Sequence, residues 1–233
     1  MSRQALEYSY TLRKQIKSRN IKIVFAFIFS IIFIGVVTNL FLFPVRQNSD
    51  SMDPDIPEKA LVFVTPFVKN PDRGDVVLLC RDTELNVNIF KRIANVFVTF
   101  FTANQINLVE DMDVPGTKPE LRRVVALPGD TLYMKDYKLY VKPQGERHFL
   151  TEFELSDHIY NITFCKAVQN WDNSIGVNGE FEEFTLGEDE FFVLSDNRFS
   201  STDSRIWGPV SQKRFKGIAL LCYWPFKAFK GLK

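Results

Sequence analysis

The chain has 233 residues and a net charge of only +1, because 29 Lys and Arg residues face 28 Asp and Glu residues. Hydrophobic residues make up 45% of the chain and aromatic residues 14%, which excludes a disordered, collagen-like or low-complexity protein. The three cysteines lie far apart without a CxxC pair, which excludes a disulfide-dense scaffold and a cysteine zinc site. Whether any two of them pair stays open at this stage; they are Cys80, Cys165 and Cys222.

The charge is distributed unevenly along the chain. Residues 1–22 carry six bases and one acid, a net charge of +5, and the last 23 residues carry six bases and no acid. The body between them, residues 23–210, has 17 bases and 27 acids, a net charge of −10. An acidic body between two basic ends argues against a nucleic-acid-binding protein.

Residues 23–43 form a long apolar stretch, 21 residues without a charged side chain (IVFAFIFSIIFIGVVTNLFLF). As an α-helix this stretch would be about 31 Å long, which matches a hydrocarbon core of about 30 Å. A buried core helix rarely stays apolar on every face, and a cleaved signal peptide has a shorter apolar region followed by a small-residue site. The stretch therefore predicts an uncleaved transmembrane helix.

The charges on either side of this stretch predict its orientation. Six bases precede it, whereas Arg46 is the one base that follows it closely, among four acids. The positive-inside rule then predicts a single-pass membrane protein in which residues 1–22 are cytoplasmic and residues 44–233 lie on the outer side. A bacterial cytoplasmic membrane and an organelle inner membrane both fit this topology.

The outer domain, residues 44–233, contains short β-like runs that are separated by turn residues. Such a pattern predicts one mainly β domain, long enough to carry an inserted lobe at about residues 133–190. The runs that predict strands lie at residues 60–65, 75–79, 122–127, 138–141, 190–194 and 218–223.

The closing segment, residues 223–230, alternates aromatic residues with lysines. Aromatic rings and lysine suit the headgroup zone of a bilayer, so one interpretation is an interfacial membrane contact. The other interpretation is a frayed tail. The sequence alone leaves both open.

The inventory of reactive side chains limits the possible chemistry. The two histidines, His148 and His158, lie near neither a Gly-x-Ser-x-Gly turn nor a metal-ligand spacing, so we expect both at the surface. No Gly-rich phosphate loop is present. The sequence therefore predicts no metal and no cofactor. A hydroxyl nucleophile activated by something other than imidazole remains, and serine with lysine is the known case.

Four segments that follow the apolar stretch together resemble the type I signal peptidases, membrane-bound serine proteases that remove signal sequences from exported proteins. Their order and spacing agree with that family over nearly the whole chain from Ile23 onward. The resemblance implies signal peptides of preproteins and the lipid bilayer as partners. The segments are SDSMDP at residues 49–54, PDRGDVV at residues 71–77, RRVVALPGD at residues 122–130 and SDNRFSSTDSRIWG at residues 195–208.

The resemblance also implies a role for individual residues. Ser51 would attack the scissile carbonyl, and the hydroxyl of Ser49 with the Ser51 backbone N–H would form an oxyanion hole. Ser201 would orient the general base, while Asp203 and Arg205 would form an ion pair that holds the loop.

Substrate would then bind as an extended strand between the segment leading to Ser51 and residues 121–124, with shallow pockets for small side chains. The residues predicted to line this binding site are Met52, Pro54, Leu121, Arg123 and Val124.

One residue departs from the family pattern in a way that matters chemically. The family's general base is a lysine at the first position of the third segment, and this chain has Arg122 there. A lysine can act as a base when burial lowers its pKa, whereas a guanidinium titrates above about 12 and stays charged. Lys118 lies four residues earlier, about 13 Å away along a strand, too far without a rearrangement.

Two hypotheses follow from this departure. In the first, the chain is a signal peptidase whose base is displaced, either another lysine brought in by the loop or a water held near Arg122 at a much reduced rate. In the second, it is a pseudopeptidase that binds signal-like segments, or partners a paralogous signal peptidase, without cleavage. We take peptidase as the biochemical class and keep the second as the alternative.

Overall fold

A computed structural model describes residues 3–67, 70–80, 119–157, 159–163, 179–199 and 202–232, and scattered positions (94–95, 97–99, 101–103, 105–106 and 108). Within the first 41 residues, side chains are described at residues 15–33 and Phe41. The chain divides into two compact units, Met1–Leu40 and Phe41–Lys233.

The first unit is helical. Helix α1 runs from Arg3 to Phe41 and exposes large apolar side chains, among them Phe25 and Phe29, which are each 68% exposed. In the described part of the chain no helix is both long enough and apolar enough to cross a membrane, so the spanning helix predicted over residues 23–43 is not confirmed. The helix also ends two residues earlier than that prediction, since Pro44 disfavours helical geometry in the residue before it.

The second unit is mainly β, as predicted, and its described strands form two antiparallel sheets. The larger sheet has the order β1-β2-β11-β3-β4-β9-β10, with β12 added to β11, and the smaller has the order β7-β6-β5-β8. The strands are β1 (Phe43–Arg46), β2 (Leu61–Thr65), β3 (Val76–Leu79), β4 (Glu120–Ala126), β5 (Thr131–Lys135), β6 (Lys138–Lys142), β7 (Leu150–Thr151), β8 (Phe181–Thr185), β9 (Glu190–Leu194), β10 (Val210–Ser211), β11 (Phe215–Trp224) and β12 (Lys230–Gly231).

Short helical turns complete this unit. Helix α2 covers Glu152–Leu155, helix α3 covers Ser204–Trp207, and two 3-10 turns cover Gln212–Arg214 and Phe226–Ala228. The lobe predicted at about residues 133–190 overlaps the smaller sheet, and its boundaries stay a prediction.

The larger sheet buries an apolar cluster that includes residues of the turn after β1. Met52 and Ile56 from this turn are fully buried with Val62 and Val64 of β2 and Leu121 of β4. Burying a large apolar side chain contributes about 1.5–3 kcal/mol, so Met52 and Ile56 fix the turn to the sheet. Ser51 lies immediately before Met52, so the same packing fixes its position.

The carboxyl end packs on the larger sheet. Leu232 is only 5% exposed within the same cluster, and its N–H donates to Leu220 O at 2.9 Å. Residues 230–231 pair with β11 as strand β12. The described part of this end is therefore not a frayed tail, although Phe226 and Phe229 are exposed.

Candidate active site

Ser51 lies in the turn after β1, between the larger sheet and the segment that follows β9. Its side chain is buried, with 3% exposure. Its backbone carbonyl accepts a hydrogen bond from the Asn197 N–H at 3.0 Å, and the Asn197 side chain donates to Asp50 O at 3.3 Å. The first and fourth motif segments are therefore joined directly at Ser51.

Three side chains surround the Ser51 oxygen. Gln47 Nε2 donates to Ser51 Oγ at 2.9 Å, Arg122 Nη1 donates at 3.0 Å, and Ser49 Oγ lies at 3.0 Å. Gln47 Nε2 also reaches Ser49 Oγ at 3.3 Å. The motif residues Ser49, Ser51 and Arg122 thus come together in the fold.

Gln47 was not predicted from the sequence. It precedes the Ser-x-Ser-Met-x-Pro segment and belongs to no motif, yet its side chain is buried beside Ser51. A signal was available in the spacing: residues 47, 49 and 51 alternate, and alternate residues of an extended segment face the same side.

The Arg122 guanidinium is almost completely buried, and acceptors surround all five of its N–H groups. Nη1 donates to Ser51 Oγ and to Leu121 O at 2.6 Å. Nη2 donates to Glu120 Oε2 and to Thr202 O, both at 2.8 Å, and Nε donates to Thr202 O at 3.0 Å. Its orientation is therefore fixed with one N–H aimed at the Ser51 oxygen.

Burial lowers the pKa of Arg122, and the charge of Glu120 works against that shift. The ordinary pKa of a guanidinium is so high that the group stays protonated in proteins. Arg122 is therefore a fixed cation beside Ser51 and cannot accept the Ser51 proton. Among the described residues, no lysine, histidine or carboxylate is hydrogen-bonded to Ser51 Oγ. Ser201 and Lys118, which the sequence analysis named near the base, lie outside the described residues.

Asp203 and Arg205 form a fully buried ion pair at the start of α3. Arg205 Nη2 and Nε donate to Asp203 at 2.7 and 2.8 Å, and Asp203 also accepts the Ser195 N–H at 3.0 Å. Burial alone would raise the pKa of Asp203, but the hydrogen bonds and the charge of Arg205 outweigh burial and lower it. The pair ties the chain on both sides of residues 200–201 together.

Most of the residues predicted to contact substrate have buried side chains. Met52, Leu121 and Val124 belong to the hydrophobic clusters, whereas Pro54 is exposed. The three buried side chains could contact substrate only after a local opening of the structure. Without such an opening, substrate would bind to the backbone at the edge of β4.

The edge of β4 nearest Ser51 is only partly paired. β3 pairs with Glu120 to Arg123 along one edge, and β9 begins to pair on the other edge only at Arg123. The Val124 N–H bonds to Asp75 O on the β3 side, so alternation directs the Leu121 backbone groups to the opposite edge. In the described residues, that edge carries no strand at Leu121.

Arg123, in the third motif segment, joins the second and fourth segments and Asp55, the residue that follows the first segment. Its guanidinium donates to Asp196 at 2.5 and 2.8 Å, to Gly74 O at 2.6 Å and to Asp55 at 3.5 Å. Burial alone would lower the pKa of Arg123, but the charge and hydrogen bonds of Asp196 raise it. The side chain predicted to bind substrate is thus committed to holding the site together.

A third buried ion pair was not predicted from the sequence. Arg198 binds Glu152 of α2 at 2.5 and 3.0 Å, and the Tyr160 hydroxyl donates to Glu152 at 3.1 Å. The Tyr160 ring also lies 4.1 Å from the Arg123 guanidinium. The pairing had no sequence signal, because Glu152 and Arg198 lie 46 residues apart outside any common motif.

One of the two histidines and two of the three cysteines lie within the described residues. His148 is exposed, as expected, and His158 lies outside the described residues. Cys222 is a free thiol, and Cys165 lies outside the described residues.

Comparison with known proteins identifies the family. Residues 20–224 match the family model described as signal peptidase, peptidase S26. The chain is 29% identical over 202 residues to a signal peptidase I from Bacillus licheniformis (84% of this chain and 85% of that protein). It is 25% identical over 227 residues to a signal peptidase I P from Bacillus subtilis subsp. natto (94% and 97%).

A solved structure of a signal peptidase I from Enterococcus faecalis V583 is 22% identical in sequence to this chain. The match covers 65% of this chain and 97% of the solved chain. Its TM-score is 0.33, which is too low for a comparison of the two sites. The match to the family model covers most of the chain. This protein therefore belongs to the signal peptidase, peptidase S26 family, a family of peptidases of the type I signal peptidase class.

Proposed function

We propose that this protein removes amino-terminal signal peptides from exported preproteins, cleaving after small residues with Ser51 as the nucleophile. The observation that carries the proposal is the position of Ser51 Oγ. Gln47, Ser49 and Arg122 hold it beside the edge of β4 that carries no strand at Leu121 in the described residues, since Arg122 Nη1 donates both to Ser51 Oγ and to Leu121 O. Membership of the peptidase S26 family supports the reaction class.

The roles that we propose for the site residues are those that the family resemblance implies. Ser51 attacks the carbonyl carbon of the scissile bond. The Ser49 hydroxyl and the Ser51 backbone N–H stabilise the oxyanion, a contribution of about 3 kcal/mol for such donors. Ser201 orients the proton acceptor. The Asp203–Arg205 ion pair holds the loop to which Ser201 belongs.

The substrate binds as an added strand along the free edge of β4. The backbone groups of Leu121 face that edge, and the Met52–Pro54 segment and the backbone of β4 up to Val124 shape shallow pockets. Arg122 Nη1 already occupies the Leu121 carbonyl, so an incoming strand competes with this contact. Small side chains are those that the family resemblance implies for such pockets.

We further propose that residues 23–43 anchor the protein in a membrane, with residues 1–22 in the cytoplasm and the β unit on the outer side. The absence of charge in this stretch and the excess of bases before it support the proposal. Exposed apolar side chains such as Ile23, Phe25 and Phe27 on α1 support a lipid environment, because they would otherwise face water.

A second candidate function is binding of signal-like segments without turnover, alone or beside a paralogous signal peptidase. The observation that favours it is the contact between Arg122 Nη1 and Ser51 Oγ, which puts a permanent cation where a proton acceptor is needed. The substrate edge is the same in both candidates. Only the fate of the bound peptide differs between them.

The choice of cleavage site tests the proposed function. Purified full-length protein in detergent is incubated with a preprotein that has alanine before the scissile bond, and with a matched preprotein that has leucine there. We expect cleavage after the alanine and about a hundredfold slower cleavage of the leucine form, since a pocket built for a methyl group must be forced open. Binding of both preproteins without any cleavage would support the second candidate instead.

A further inference from the structure

The Ser51 oxygen has more hydrogen-bond donors than a neutral hydroxyl can use. Gln47 Nε2 and Arg122 Nη1 can only donate, and both lie within 3.0 Å of Ser51 Oγ. Ser49 Oγ is a third donor to Ser51 Oγ, at 3.0 Å. A neutral hydroxyl has two lone pairs that can accept hydrogen bonds, and its own proton must be donated to a further group. An alkoxide has three lone pairs and no proton, so it can accept three hydrogen bonds.

Both nitrogen donors are held in place by their own partners. Gln47 is buried, and its backbone is bonded on both sides, to Ala60 O and from the Lys59 N–H, each at 2.8 Å. The remaining N–H groups of Arg122 donate hydrogen bonds to Leu121 O, Glu120 and Thr202 O. Arg122 therefore cannot turn away from Ser51 without breaking buried hydrogen bonds, and Gln47 cannot turn away without losing its bonds to Ser51 Oγ and Ser49 Oγ.

We propose that Gln47 and Arg122 stabilise Ser51 as an alkoxide, so that hydroxide from solvent, and no side-chain base, removes its proton. The inference rests on the proposed function in one respect, that Ser51 is the nucleophile. Gln47 becomes a further catalytic residue, because its amide touches the reacting oxygen. Arg122 supplies the fixed positive charge that favours a negative oxygen in a buried site.

The reaction balances without another group. Hydroxide takes the Ser51 proton and becomes water, leaving the negative charge on Ser51 Oγ. With an activated ester such as p-nitrophenyl acetate, Ser51 Oγ forms a bond to the acetyl carbon and p-nitrophenolate leaves with its electron pair. No proton is needed by this leaving group, so the step reports on Ser51 alone.

In the described part of the chain, no lysine and no histidine is hydrogen-bonded to Ser51 Oγ. The two lysines around the Ser51 turn have other partners, since Lys59 pairs with Glu58 and Lys230 of β12 pairs with Asp55. The charged groups on the described elements around this turn are Glu120, Arg122 and Arg123 of β4, Asp50, Asp53, Asp55, Glu58 and Lys59 of the turn itself, Asp196 after β9, Asp203 and Arg205 at α3, and Lys230 of β12.

The test is acetylation of Ser51 by p-nitrophenyl acetate in full-length protein, followed by mass spectrometry between pH 7 and 10. We expect the wild-type rate to rise about tenfold per pH unit, because the alkoxide fraction follows hydroxide. Arg122→Met should keep this slope with a rate about a hundredfold lower. Arg122→Lys should instead level off, since a lysine amine that loses its proton becomes a side-chain base.

Gln47 is tested against its neighbour. Gln47→Leu should lower the acetylation rate about tenfold at every pH, the effect of one hydrogen bond to a charged oxygen. The matched control is Asn48→Leu, at an exposed residue one position away, which should react like the wild type. Should Gln47→Leu fail to fold, as judged by its thermal unfolding, the contrast between wild type and Arg122→Lys still decides the question.

Three results would overturn the inference: a wild-type rate that levels off near neutral pH, a Gln47→Leu rate equal to the wild type, or no acetylation of Ser51 at any pH. The outcome is separate from that of the proposed function. If preproteins stay intact while acetylation follows hydroxide, the proposed function fails and the inference stands. If preproteins are cleaved while acetylation levels off near neutral pH, the reverse holds.

Discussion

Arg122→Lys is expected to accelerate preprotein cleavage by about 10²–10⁴-fold, the usual contribution of a positioned general base. The reason is the site that Arg122 occupies: it is buried beside Ser51, and its guanidinium cannot lose a proton. A lysine there would be desolvated in the same way, and burial lowers the pKa of an amine enough to leave part of it neutral. The measurement is the initial rate of cleavage by purified wild type and variant at neutral pH.

The matched control is Arg147→Lys, the same change at an exposed position. It should leave the rate unchanged. An Arg122→Lys variant that folds, yet cleaves no faster than the wild type, would show that position 122 does not limit the reaction.

Asp196→Ala is expected to lower the free energy of unfolding by about 3–5 kcal/mol, because it leaves the buried Arg123 guanidinium without its main partner. The Arg123–Asp196 pair is at most 2% exposed, and Asp55 is a more distant second partner at 3.5 Å. Urea unfolding of the full-length protein measures the change. Activity should fall as well, since the neighbouring Asn197 N–H holds the Ser51 carbonyl.

Two comparisons separate this effect from the general cost of losing a carboxylate. Glu183→Ala removes the partner of Lys142 in an exposed pair at 3.9 Å, and we expect a change within about 0.5 kcal/mol. Arg123→Met with Asp196→Leu should be more stable than Asp196→Ala alone, because no buried charge is left unpaired. Equal unfolding free energies for Asp196→Ala and Glu183→Ala would contradict this role for the buried pair.

Much of the fold follows from local sequence patterns. The runs at residues 60–65, 75–79 and 190–194 correspond within a residue to β2, β3 and β9, because β-branched and aromatic residues between turn residues favour strands. Strand β1 was missed, since its apolar residues continue the preceding stretch and nothing but Pro44 marks the change. The order of the strands in the sheet could not be predicted from local patterns. Strand β11 lies between β2 and β3, and the residues that pair are more than 130 positions apart in the sequence.

The candidate site was predictable where a motif names the residue. Ser49, Ser51 and Arg122 were expected together from the family resemblance, and their side chains do meet in the structure. Gln47 was missed because a single amide side chain outside a motif does not indicate a function. Its hydrogen bond to Ser51 Oγ becomes visible only in the folded structure. The engagement of Arg123 with Asp196 was missed for the same reason, since a partner 73 residues away is chosen by the packing of β4 against the segment after β9.

The most direct test of the central claim is cleavage of one preprotein by purified wild type and Ser51→Ala, with Ser211→Ala as the matched control and mass spectrometry of the products. We expect slow cleavage at a single position after a small residue by wild type and Ser211→Ala, and no cleavage by Ser51→Ala. Cleavage at the wild-type rate by Ser51→Ala, or preprotein left intact by the wild type, would contradict it.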